Sequence, residues 1–158
     1  MSETTWLSDL FAASDRNPIR YEGRLAHAVY RRPLSEPTQV ELAIRSESQT
    51  AGADLRQGVR LALAGGELEV FGEREPAAEL WSDYAPRPVT VTCLPSDGAA
   101  ELAVWNIWEH GGLPAQWSGQ AGMLVEESAG EVVLRCSNGL DQPTFDDPVV
   151  ALRFRPAR

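Results

Sequence analysis

Hydrophobic and polar positions alternate with a period of two along most of this chain, which is the signature of strands buried on one face. Across Thr38–Ser46, Val40, Leu42 and Ile44 share one face, while Gln39, Glu41 and Arg45 share the other. Arg60–Phe71 reads as a hairpin, in which Leu61 and Leu63 lead to Gly65-Gly66 and then to Leu68 and Val70. Two glycines in succession supply the positive φ angles that tight primed turns demand. Val89, Val91 and Cys93 form a further inward row. Met123–Glu126, Glu131–Cys136 and Pro148–Arg155 complete the alternating set. Glu101–Trp108 differs, because both of its faces are apolar: Leu102, Val104 and Trp108 on one, Ala103, Trp105 and Ile107 on the other. Such a strand is expected to be covered on both sides.

The period changes only at the start. Residues 3–13 place Trp6, Leu7, Leu10 and Phe11 on one side at helical spacing, with Ser2 as the N-cap, and Asp15-Arg-Asn-Pro18 ends the pattern. About nine short strands at intervals of roughly 8–15 residues, with no βαβ alternation, predict an all-β protein built as an antiparallel β-sandwich. One domain is expected over residues 1–158, with the helical segment 1–15 packed on it.

Composition narrows the function classes. The net charge is −9, and all 14 basic residues are Arg, with no Lys in the chain. The missing Lys reads as the mark of a GC-rich genome. Phosphate backbones are normally met by clustered Lys and Arg, so neither nucleic acid nor an anionic membrane is an expected partner. The N-terminus shows no basic and apolar leader, and no stretch approaches the ~18 apolar residues of a membrane span. A cytoplasmic location follows as the expectation. Cys93 and Cys136 both fall in strands and read as reduced core residues, though their spacing leaves a disulfide open.

Most catalytic patterns are missing. His27 and His110 are far apart and have no Cys or His at metal-ligand spacing. There is no Gly-x-Ser-x-Gly elbow and no phosphate-cradling glycine loop. His27 reads as structural and His110, in the turn Glu109-His-Gly-Gly112, as solvated. The strongest constellation is Asn138-Gly-Leu-Asp-Gln-Pro-Thr-Phe-Asp-Asp147, which joins two strands and gathers three carboxylates, two carboxamides and a hydroxyl. Calcium takes six to eight hard oxygen ligands in flexible geometry, so Asn138, Asp141, Thr144, Asp146 and Asp147 are its candidate ligands. The adjacent carboxylates of Asp146 and Asp147 repel one another, which a divalent ion relieves. The spacing is not that of an EF-hand, since Leu140 would fall at the third position. The same residues also suit a polar hairpin turn that binds nothing. Trp117 and Trp81 are candidate ligand-binding residues, because an indole can meet the C–H face of a sugar ring; a buried structural role is the stronger reading of each.

The segment Leu134-Arg-Cys-Ser-Asn-Gly…Thr144-Phe-Asp-Asp147 with its closing strand resembles the calcium-dependent galactose-binding bacterial lectins of the LecA type. The likeness covers about the last 60 residues. It implies a jelly-roll or galactose-binding-like sandwich, a bacterial source, calcium as cofactor and a glycan as ligand, with export that needs no ordinary signal peptide. Asn138 would stand at the family's ligand Asp, Thr144 at its Thr, and Asp146 and Asp147 at its paired Asn. The chain departs from the pattern in a loop one residue longer, in Asn for Asp and in Asp for the paired Asn. The family's sugar-contacting His and Gln have no counterpart.

Three functions are therefore carried forward. The first is a non-enzymatic module, a calcium-stabilised lectin-like sandwich that binds a glycan or a protein. The second is an acidic protein-interaction domain that masks a basic surface. The third is a carbohydrate hydrolase using carboxylates such as Glu109, Glu126 and Asp146, which would have to face one another across a cleft.

Overall fold

The computed structural model describes residues 6–46, 55–82, 88–96, 98–138, 145 and 148–157. Among these, one helix precedes fourteen strands. The helix α1 is Leu7–Ala13, followed by β1 (Ile19–Tyr21), β2 (Arg24–His27), β3 (Tyr30–Leu34), β4 (Thr38–Ser46), β5 (Leu55–Ala64), β6 (Gly66–Val70) and β7 (Glu73–Glu75). Then come β8 (Ala77–Trp81), β9 (Val89–Pro95), β10 (Ala100–His110), β11 (Leu113–Ala115), β12 (Gly122–Ser128), β13 (Glu131–Ser137) and β14 (Val149–Pro156). All the pairings are antiparallel. One sheet runs β1-β2-β12-β13-β14-β4-β9-β6-β7, and the other runs β11-β10-β5-β8, with β3 paired to the opposite end of the β10 edge that carries β11.

The all-β sandwich is as the alternation predicted, and β4 has the expected bounds. The strand count is higher than about nine, because β1, β7 and β11 have three residues each, too few to show a period. The core lies between the sheets. Val40, Leu42, Val91, Leu134, Val150 and Leu152 from the larger sheet meet Val59, Leu61, Leu102 and Val104 from the smaller, all inaccessible to solvent. Burying each such side chain stabilises the fold by about 1.5–3 kcal/mol before chain entropy is set against it.

Two expectations change. First, Gly65-Gly66 is not a hairpin turn: β5 pairs with β10 and β8, whereas β6 pairs with β9 and β7. The pair is a corner at which the chain crosses between the sheets. Gly65 has φ +82°, and a Cβ on Gly66 would collide with the Leu94 carbonyl oxygen of β9. Second, the helix uses Leu7 and Phe11 as its buried residues and leaves Trp6 45% exposed; Ser2 lies outside the described residues. Its first N–H groups are met from the body, Leu7 N donating to Gln120 Oε1 at 2.8 Å and Ser8 N to Gly119 O at 3.0 Å. Gly122 admits this packing, since a Cβ there would lie 3.3 Å from the Phe11 ring.

The cysteines are as expected, reduced core residues: both are free and buried. Two strands, β14 and β4, separate β13 from β9, which alone is about 14 Å, well beyond the ~7 Å limit for Cα atoms in a disulfide. Burial pushes the Cys93 thiol up to about 12, so it stays protonated and inert. Both thiols should ignore an aromatic disulfide reagent in native protein and react at once in denaturant. Stoichiometric labelling of folded protein would contradict this packing.

Candidate functional site

The outward face of the smaller sheet holds an open cleft. Register places Ile107 on β10, Gly58 on β5 and Trp81 on β8 in one row, and Trp105, Arg60 and Glu79 in the next row on the same face. Gly58 decides the geometry. With no side chain, it lets the Trp81 indole lie against β5, and a Cβ there would be 3.0 Å from Trp81 Cε3 and 2.5 Å from the Leu80 carbonyl oxygen. The Arg56 guanidinium covers the indole at 4.4 Å from the ring centroid and pairs with Glu109 at 3.5 Å. Trp81 is consequently 5% exposed and shows its rim rather than an open face.

The hairpin β10–β11 builds the far wall, turning at Gly111-Gly112, both at positive φ. This brings Pro114, Ala115, Gln116 and Ser118 alongside Ile107 and Trp81, enclosing about 620 Å³ that is open to solvent. Arg60 and Glu79 form an ion pair at 3.2 Å on the rim, and Gln116 Oε1 accepts from Trp105 Nε1 at 2.8 Å. An apolar floor with a few fixed polar groups suits a small polar ligand.

Trp117 stands apart from that cleft. It stacks on Trp105 with ring centroids 4.8 Å apart and 28° between planes, Arg16 lies 4.2 Å over it, and its Nε1 donates to Ala28 O at 3.1 Å. Both faces are thus engaged. The stack explains why the outward-facing side chain of Trp105 is buried, as its doubly apolar strand predicted.

Of the five candidate calcium ligands, Asp141, Thr144, Asp146 and Asp147 lie outside the described residues. Asn138 directly follows β13 and is 3% exposed. Its Nδ2 donates to Gln57 Oε1 of the opposite sheet at 3.4 Å, and beside it Asn106 Nδ2 donates to Ser137 O at 3.0 Å. Asn138 therefore has a role in joining the two sheets whether or not a metal is bound. Phe145, unremarked in the sequence, is 2% exposed at φ +59°, set edge-on to Tyr21 at 6.2 Å and beneath Arg24 at 5.2 Å. A lone aromatic in a carboxylate-rich turn was the available signal.

The proposed carboxylate trio does not assemble from its described members. Glu109 sits on the smaller sheet with Arg56, and Glu126 on the larger with Arg135. Among the described residues, no three His, Cys, Asp or Glu side chains gather as a metal site. Hydrogen bonds from Arg153, then Arg45, hold the partly buried Glu131 carboxyl below its ordinary value. His110 ends β10, exposed, while burial lowers the half-buried His27 and Glu127 opposes that shift.

Comparisons of the chain with protein-family models, with curated proteins and with solved structures found no match. No helix among the described residues is long and apolar enough to cross a membrane.

Proposed function

We propose that this domain is a non-enzymatic binding module whose cleft over Trp81 and Ile107 takes a sugar residue of a glycan. The observation that carries the reading is the 620 Å³ cleft itself, apolar along Trp81, Ile107 and Pro114 and edged by Arg60, Glu79 and Gln116. Sugars present both C–H faces and hydroxyls, so they need such a mixed lining. A cytoplasmic location belongs to the same reading and accords with two free thiols.

Calorimetric titration with a panel of mono- and disaccharides tests it. One sugar class should bind with a Kd of about 1 mM or tighter. Glu79→Gln should weaken that binding about tenfold with little change in stability, because exposed ion pairs contribute roughly 0–1 kcal/mol. A panel without any binder removes the proposal. Calcium, proposed as a stiffener of segment 138–147, is tested separately. In chelator-stripped protein, calcium at about 100 times Kd should add about 2.7 kcal/mol of stability, and an unmoved Tm at about 1 mM calcium eliminates the metal while leaving the cleft untouched.

One feature favours the second reading, a protein partner with a basic face. The β6–β7 hairpin carries Glu67, Glu69, Glu73 and Glu75 against Arg74, with Phe71 67% exposed at its tip. Salt-sensitive retention of a basic protein, lost in Phe71→Ser, distinguishes that reading from glycan binding.

A further inference from the structure

A second depression, about 230 Å³, opens at the edge of the sandwich where the chain passes from β2 of the larger sheet to β3 of the smaller. Its polar wall gathers residues distant in sequence. Arg16 comes from the link between α1 and β1, His27 from β2, Arg31 from β3 and Glu127 from β12, with Val125 and Tyr30 as apolar backing. Two guanidiniums thus face a single carboxylate, in a chain whose net charge is −9.

The arginines are held for use. Arg16 makes no ion pair among the described residues; its guanidinium carbon lies over the Trp117 ring, 4.2 Å from the centroid. Stacking fixes the plane of a guanidinium while its N–H edge can still meet an oxyanion in bidentate fashion. Among the described residues Arg31 has an ion pair with Glu101 alone, at 3.9 Å, with both side chains about half exposed, a contact that contributes little and yields readily. The volume is below the ~300 Å³ at which drug-sized ligand pockets begin, so the occupant must be small.

We propose that this pocket binds a small oxyanion, the shared chemistry of a carboxylate and a phosphoryl group, between the guanidiniums of Arg16 and Arg31 with His27 as a further donor. Glu127 is the opposing charge and sets an upper bound on affinity. Because an anion favours the protonated imidazole, occupancy raises the titration of His27 from its depressed position.

The chain has two histidines, His27 and the exposed His110, so imidazole NMR carries its own control. Inorganic phosphate and acetate are titrated in turn against chloride at matched ionic strength and pH. Saturable movement of the His27 resonances with His110 unmoved is the expected result, and the arm that saturates first names the source, phosphoryl or carboxylate. Arg16→Met should weaken binding about tenfold, Arg16→Lys should restore only part of it, since an ammonium keeps the charge but not the stacked bidentate fork, and Glu127→Gln should tighten it about threefold. Arg31→Met repeats the test should Arg16→Met unfold. Equal movement of both histidines, no saturation with either anion, or unchanged affinity in the Met variants overturns the proposal.

Discussion

Phe145→Ala should lower the free energy of unfolding by about 3–5 kcal/mol, the range for truncating a buried aromatic, and urea denaturation measures it. The side chain is 2% exposed and packs on Tyr21 from β1 with Arg24 of β2 over it. Its loss opens a cavity at the edge of the larger sheet, where the short strands β1 and β2 leave little else to collapse into the space. The φ of +59° at this position opposes the packing only slightly, since a left-handed non-glycine residue costs about 1–2 kcal/mol. Alanine keeps that backbone cost and removes the compensation. A loss under about 1 kcal/mol would show that the aromatic does not anchor this turn.

Gly58→Ala has the next largest expected effect, and its sign is informative. Propensity favours the change, because glycine inside a strand costs roughly 0.5–1 kcal/mol relative to alanine. Sterics oppose it. The new Cβ would sit 2.5 Å from the Leu80 carbonyl oxygen and 3.0 Å from Trp81 Cα and Cε3, and the carbonyl is part of the β5–β8 ladder and cannot turn aside. Overpacking typically costs about 1–3 kcal/mol, so net destabilisation of about 2 kcal/mol is expected, with Trp81 displaced into the cleft. Thermal unfolding and the tryptophan emission maximum report the two effects. A stabilised variant with unchanged emission would mean that Gly58 is not the seat of Trp81.

Local alternation was enough to find the long strands. Thr38–Ser46 could be read with its bounds because each inward Val or Leu is flanked by residues that stay in water, and the doubly apolar 101–108 run was correctly expected to be covered on both sides. Where the chain must choose between two sheets, local pattern is silent. Gly65-Gly66 has hairpin chemistry, yet its flanking strands find different partners, and that choice depends on β9 and β10, which lie further along the chain. Site geometry was hidden for the same reason. Trp81 was singled out as an aromatic, but its seat on Gly58 and its cover, Arg56, emerge only from the β5–β8 register. Gln57, Asn106 and Asn138 are unremarkable separately; pairing brings Gln57 to Asn138 and Asn106 to the neighbouring Ser137 carbonyl.

The corner at Gly65-Gly66 has a kinetic consequence. A true hairpin there would close early, since neighbouring strands meet within microseconds. Instead β5 pairs with β8 and with the distant β10, and β6 with β7 and β9, so neither half of the 55–70 segment can use the other as a template. The β14–β4 ladder joins the two ends of the chain across more than 100 residues. Chains dominated by such distant pairings fold in milliseconds to seconds, and until β10 and β9 dock, one edge of β5 and one edge of β6 stay open to other molecules. Refolding yield should therefore fall as protein concentration rises, long before native stability becomes limiting.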